Sequence, residues 1–560
     1  MEIMKQLQLN FILKIGILYL LLIVIGFTST VPAFGVSGKY LVAVEAAGKN
    51  DFNKASKNYL ALLKRGVSET LVIQDALLFS VLANDQKSAF ELSEFVEEQG
   101  LQIPTAGLIS LVKLYQNKQF DKVPGLLFRN QETFPKFLTT LVRGWIEIET
   151  GSFEKGIELF NSLNGASHYL GLYNCAVAYA IEGDFQNALP YLKLLEGKKI
   201  KFDAIQLQTL AEIYSNNNQN DKAIELLLSQ TQSQNSSVFE KVIFNLKTGK
   251  RLEFIALSSS LDALANIFYL MGSTNDSSKT NPIISSFYIQ LAEFLSKDKD
   301  YYNIRLAETF ADIQAFNYSM DRFNRVTSGS KFYLIAQLGI SDILVREAKV
   351  DAARSVLENL LNEGYKEFVI FDSLADIFRT KEDYLKAIYY YDTALKTINK
   401  EDRNKKWSTV FVRGICYDQS GNWLKAKVDL KNALELSPNH PEILNYFGYS
   451  LIERNENLEE ALGMIKNAVS QRPDSGYIVD SLGWGLFRLG QYKEAIVPME
   501  RAILLEPHDP IVNDHLGDVL WMNGRRREAT FQWQRAIFFG PTSDNEKKIR
   551  KKLRFGITDL

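Results

Sequence analysis

Six side chains in this sequence could ligate a metal or supply a nucleophile near neutral pH: His168, His440, His508, His515, Cys175 and Cys416. Their spacing supports neither chemistry. A structural zinc site needs closely spaced ligand pairs, and the two cysteines stand 241 residues apart. HExxH, GxSxG and a glycine-rich phosphate loop are all absent. Asp514, His515 and Asp518 share one helical stretch and could in principle hold an ion, but adjacent polar residues on a helix are an ordinary solvated face. Each cysteine lies in an apolar helical pattern and reads as a free, buried, small apolar residue. The expectation is a non-enzyme with no cofactor and no metal.

The chemistry left is recognition. Asn445, Tyr449, Asp480, Trp484, Asp514, Asp518 and Trp521 fall at matched places in successive segments. Asparagine can pair with a peptide amide on both sides, and large aromatics supply contact area at low entropy cost. These residues recur because the elements that carry them recur. Gly414, Gly448, Gly483 and Gly517 are spaced 34, 35 and 34 residues apart, and Ala433, Ala468, Ala502 and Ala536 keep step, as do Pro438, Pro473, Pro507 and Pro541. Such a period marks stacked helix–turn–helix units.

The small residues are there for steric reasons. Glycine on the first helix and Ala426, Ala461, Ala495 or Ala529 on the second let two helix axes approach, where a bulkier side chain would cost about 1–3 kcal/mol. The turns fall at Gly421, Asn455, Gly490 and Gly524, and a proline closes each second helix. An extra residue in the turn Asn455-Glu456-Asn457-Leu458 accounts for the interval of 35.

Upstream the pattern is helical but drifted. Asn50-Asp51-Phe52 with Ala55, Gly183-Asp184-Phe185 with Ala188, and Ala223 mark copies between residues 36 and 228. Residues 229–284 read as an irregular segment, two loops around a decayed repeat whose apolar piece is Leu261–Leu270. Repeats resume over 285–400, four well-formed ones occupy 401–541, and residues 542–560 form a charged capping helix. At 560 residues with 46% hydrophobic content, the chain is an array rather than one globule. Its net charge of −2 makes nucleic acid a poor partner.

Residues 1–35 have the layout of an export signal. Lys5 and Lys14 precede the apolar run Ile15–Phe27, and Val31-Pro32-Ala33 or Ala33-Phe34-Gly35 supplies small residues for cleavage. The run has about 13 residues, short of the roughly 20 that span a bilayer. No cysteine follows it, which excludes bacterial lipidation. An uncleaved anchor is the other reading of this segment.

Residues 407–541 closely resemble tetratricopeptide repeats, and residues 40–400 resemble degenerate versions. Asp480-Ser481-Leu482-Gly483-Trp484, Asn513-Asp514-His515-Leu516-Gly517-Asp518 and Phe531-Gln532-Trp533-Gln534-Arg535-Ala536 look like phrases of exported bacterial repeat proteins. The resemblance implies an all-α, right-handed α-solenoid whose first helices line a concave groove for a peptide or a partner's helix. With each glycine as position eight, positions five, nine and twelve face that groove. They are Phe411, Ile415 and Asp418; Asn445, Tyr449 and Ile452; Asp480, Trp484 and Phe487; and Asp514, Asp518 and Trp521. Relatives that clamp a carboxyl terminus use basic groups here; this chain has aspartates, which points to a neutral or basic ligand segment. The implied function is an exported scaffold or adaptor binding protein partners at the bacterial cell envelope, in the periplasm. An inner-membrane-anchored adaptor facing the periplasm and, more remotely, an envelope hydrolase are the other readings. Peripheral membrane contact through the amino-terminal segment or the basic carboxyl-terminal helix is a further expectation.

Overall fold

The computed structural model describes residues 36–196, 198, 200–230, 236–273, 281–398 and 403–557. The expected signal segment lies outside them, as do parts of the loops around residues 229–237 and 273–281. Among the described residues are thirty α-helices, two short 3-10 turns and no strand. The fold is an all-α solenoid of helix–turn–helix units.

Most pairs turn at a residue with positive φ that ends the first helix. In five of them the next side chain also caps the second helix. Gly183 has φ 77° and Asp184 accepts from the Asn187 amide at 3.1 Å. Asn50 and Asp51 do the same, with φ 57° and the Lys54 amide at 3.1 Å, as do Gly421 and Asn422, with φ 80° and the Lys425 amide at 3.3 Å. The left-handed residue satisfies the outgoing carbonyls and the cap satisfies the incoming amides. In the lengthened turn, Asn455 and Asn457 both take positive φ, 57° and 45°, before the helix Leu458–Gln471 begins. The extra residue therefore sits where the spacing puts it.

The chain divides into two compact units, one ending at Gly339 and the other beginning at Ile340. In the first, the helices Thr70–Leu82, Pro104–Gln116, Lys136–Glu149 and His168–Ile181 form a row of first helices. The side of that row left uncovered by the second helices is filled by Ser260–Gly272 and Pro282–Leu295, which pack on all four. Phe294 meets the Phe90 ring at 6.4 Å, its carbonyl accepts from Gln116, and Gln290 donates to Asn84 at 3.2 Å. Nearby, the buried Arg322 guanidinium is bonded to Gln290 and Asn303, and burial pulls its pKa down to about 10. Further along, Phe52 packs on Phe310 and Tyr318, while Asn50 donates to the Ile313 carbonyl at 2.9 Å. The first unit therefore fills its own groove.

The second unit holds the four sharp copies, a preceding pair Phe368–Thr380 and Tyr384–Thr397, and the cap Ser543–Phe555. Ala426, Ala461, Ala495 and Ala529 are fully buried at the helix crossings. A Cβ added at Gly448 would lie 2.9 Å from the Ala461 carbonyl oxygen, and one at Gly517 would lie 2.4 Å from the Trp533 indole. These distances leave room for a hydrogen atom only. Cys175 and Cys416 are buried and free, and burial pushes their thiols up to about 12 and about 11.

Candidate functional site

Packing of each first helix on its own second helix and on its neighbours leaves one stripe incompletely buried. On Pro441–Glu453 the stripe holds Glu442, Asn445, Tyr449 and Glu453; on Gly476–Arg488 it holds Tyr477, Trp484 and Arg488; on Pro510–Met522 it holds Ile511, Asp514 and Met522. Spacings of three, four, seven and eight residues put each set on one helix face.

The expected groove residues divide into three kinds. Ile452 and Phe487 are core. Asn445, Tyr449 and Trp484 are half-buried on the stripe. Trp484 is stacked between Phe487, at 4.9 Å, and His515, at 4.0 Å, and its indole N–H donates to Glu453 at 2.5 Å. The phenol of Tyr449 is held above its ordinary range by burial and by the carboxylates of Glu453 and Asp480, so it remains a neutral donor. The Oδ1 of Asn445 is shielded from solvent and accepts no hydrogen bond from the protein.

The aspartates are the third kind, and each is matched by a basic group one repeat later. Asp418 pairs with Arg454 and also accepts from Tyr446 at 3.0 Å. Asp480 pairs with Nδ1 of His515 at 2.9 Å. Asp514 and Asp518 share Lys552 of the cap, at 2.8 and 2.7 Å, and Asp518 accepts from the Trp533 indole at 2.9 Å. Glu453 and Arg488, at 3.6 Å, continue the pattern. Trp521 lies on Trp533 at 5.3 Å, under the Arg526 guanidinium, and at the chain's approach to Gly556.

The electrostatics follow from this burial. The Asp518 carboxyl is pushed up to about 6 because it is desolvated, with Lys552 pulling it down and Asp514 pushing it up. For Lys552, burial pulls the ammonium down, and the two aspartates outweigh it and hold the pKa above its ordinary value. Burial likewise opposes the charge on His515, while Asp480, Asp514 and Asp518 together raise its pKa. Among the described residues no group of three or more His, Cys, Asp and Glu is placed to hold a metal. In particular, His515 turns to Asp480 while Asp514 and Asp518 turn to Lys552.

Spacing alone does not reveal the staples, because the basic partner comes from the next helix. It also misses Tyr477 and Ile511, the most exposed apolar residues of the stripe, at 58% and 47%. The available signal was an apolar residue second in its helix, where a solvated face predicts a polar one.

Helix pairs with small residues at each crossing, in a period of 34–35, are now joined by a sequence relation. Over 213 residues the chain is 26% identical to a TPR repeat-containing protein of Pseudomonas aeruginosa, a match covering 35% of this chain and 32% of that one. The chain is similar to tetratricopeptide-repeat proteins. The repeat chain is also 37% identical over 98 residues to the lipoprotein NlpI homolog of Haemophilus influenzae, covering 17% of this chain and 30% of that protein. It thus spans about a third of the length of each of these relatives. No protein-family model matches. Among solved structures, the APC/C assembly Cut9–Hcn1 matches 94% of this chain and 97% of its own at a TM-score of 0.40 and 14% identity. A tetratricopeptide repeat protein of Parabacteroides merdae matches 46% and 98% at a TM-score of 0.37 and 17% identity.

Proposed function

We propose that the second unit binds an extended segment of a partner protein along the stripe of its first helices, and that the protein is a scaffold rather than an enzyme. The observation that carries this reading is the contrast between the two units. In the first, the corresponding side is filled by two helices of the same chain, whereas in the second it presents Tyr449, Tyr477, Trp484 and Ile511 on three consecutive first helices. Half-buried Tyr449 and Trp484 next to the exposed Tyr477 and Ile511 suit an extended segment with apolar side chains. Asp480, Asp514 and Asp518 belong to this face as the groups that fix the spacing of its repeats. Their internal pairing favours a neutral ligand over a strongly basic one.

The export reading stays with it. Residues 1–35 are composed as a signal, and similarity to a protein named as a lipoprotein supports an extracytoplasmic place at the cell envelope. None of the helices among the described residues is long and apolar enough to cross a membrane. The name of neither relative denotes an enzyme. Amino-terminal sequencing decides between release and anchoring: Phe34 or Val36 as first residue means release, and Met1 means an anchored adaptor.

The groove is tested by recovery of partners after crosslinking in cells. Tyr477→Ala with Ile511→Ala should reduce recovery about tenfold, on the scale of truncating an interface anchor, with an unchanged melting temperature. Undiminished recovery from this variant refutes the stripe. Asp514 is a poor probe, because its replacement also frees Lys552.

A further inference from the structure

The end of the array carries a charge that the rest of the chain lacks. From Arg525 to Ile557 there are ten lysines and arginines against three carboxylates, Glu528, Asp544 and Glu546, in a chain whose net charge is −2. The repeat period explains where these cations sit. One step of 34 residues carries Asn513, Leu516, Gly517 and Leu520 onto Lys547, Arg550, Lys551 and Arg554. The first four are buried in Pro510–Met522. Their four counterparts in the cap helix are exposed.

The cap thus docks as a first helix does, through Ile549, Leu553 and Lys552. Its outer face, with Lys547, Lys548, Arg550, Lys551 and Arg554, is a ridge of exposed cations. On the same helix Lys547 leans on Asp544 at 3.1 Å and Arg550 on Glu546 at 2.6 Å. Exposed pairs of this kind contribute little and yield to a competing anion.

A solvated lid needs the charge but has no use for exposed phenylalanine. Yet Phe555 on the cap is 67% exposed, and Phe538, at the end of the last second helix, is 82% exposed. Exposed cations and exposed aromatic rings at one end of the array are the composition of a surface that lies at a bilayer boundary, with rings among the upper acyl chains and charges on the headgroups. We propose that the carboxyl-terminal end of the array, residues 526–555, docks on an anionic phospholipid surface through Lys548, Lys551 and Arg554, with Phe538 and Phe555 entering the interface. This does not rest on the groove reading, because the stripe and the ridge use different residues.

The test uses the full chain with vesicles of phosphatidylcholine alone or with about one third phosphatidylglycerol, at about 0.1 M salt. The expected result is slower hydrogen exchange over residues 543–557 with the anionic vesicles only. Binding should fall roughly tenfold or more in Lys548→Glu/Lys551→Glu/Arg554→Glu, and likewise at about 0.5 M salt. Phe538→Ser/Phe555→Ser should weaken it severalfold, and unchanged melting of both variants shows that the fold is intact. Equal binding to both vesicle types without local protection overturns the proposal. So does protection by an oligonucleotide or an acidic peptide but not by vesicles.

Discussion

At the scale of single residues, the glycines of the first helices are better defined than a repeat pattern requires. Gly517 faces the edge of the Trp533 indole, which is fully buried and tied to Asp518. Gly483 faces Sδ and Cγ of the buried Met499, an unbranched side chain that adapts more readily than an indole. Gly517→Ala should therefore be the more damaging change. Alanine gains about 1 kcal/mol of helix propensity, and a displaced buried indole costs about 1–3 kcal/mol with the hydrogen bond lost in addition. A net loss of about 1–2 kcal/mol in denaturant melts is expected. The control is Gly463→Ala, on an exposed helix face with nothing within 4 Å, which should stabilise by about 0.5–1 kcal/mol. Equal effects at the two sites contradict the steric account. The chemistry of the aspartates was less legible than these glycines. Their types and phase are evident in the sequence, but whether Asp480 faces a ligand or His515 depends on a helix that comes 35 residues later.

At the scale of elements, those staples join each repeat to the next, and the one made by Lys552 with Asp514 and Asp518 holds the cap. The folded state binds a proton on Asp518 at about 6, well above the ordinary carboxyl value of about 3.8. A raised carboxyl pKa means that folding takes up protons, so this group favours the folded state increasingly as pH falls through about 6 and disfavours it above. His515, raised as well, acts in the same direction: its contribution is complete below about 6.5 and is lost as pH rises through the folded value. The melting temperature should accordingly rise from pH 7.5 to pH 5, even though protonation of Asp518 weakens its pair with Lys552. Asp518→Asn keeps the acceptor for Trp533 and removes the titration, so its melting temperature should vary less over that range than the parent's. An undiminished pH dependence in the variant places the proton elsewhere, with Asp372, pushed up to about 6 by burial, the next candidate.

At the scale of the whole molecule, the period of the last four copies reads directly from the sequence because glycine, alanine and proline each have one steric task. The first unit has the sequence of drifted repeats for a physical reason. Its helices are buried on two sides, so polar positions that would mark a solvated face have become apolar, and the period blurs. The run Pro282–Leu295 carried the signal: it is apolar nearly all round, as befits a helix inside other helices rather than one at a surface. If Pro282–Leu295 is the core of this unit, Phe294→Ala should destabilise it by about 3–5 kcal/mol, the range for an aromatic lost from a packed interior. The loss should appear far away in sequence, as faster hydrogen exchange in Thr70–Leu82 and Pro104–Gln116, the two first helices on which this helix packs. Those helices would stay protected if residues 282–295 were only a peripheral repeat, because stacked repeats transmit stability mainly to their immediate neighbours.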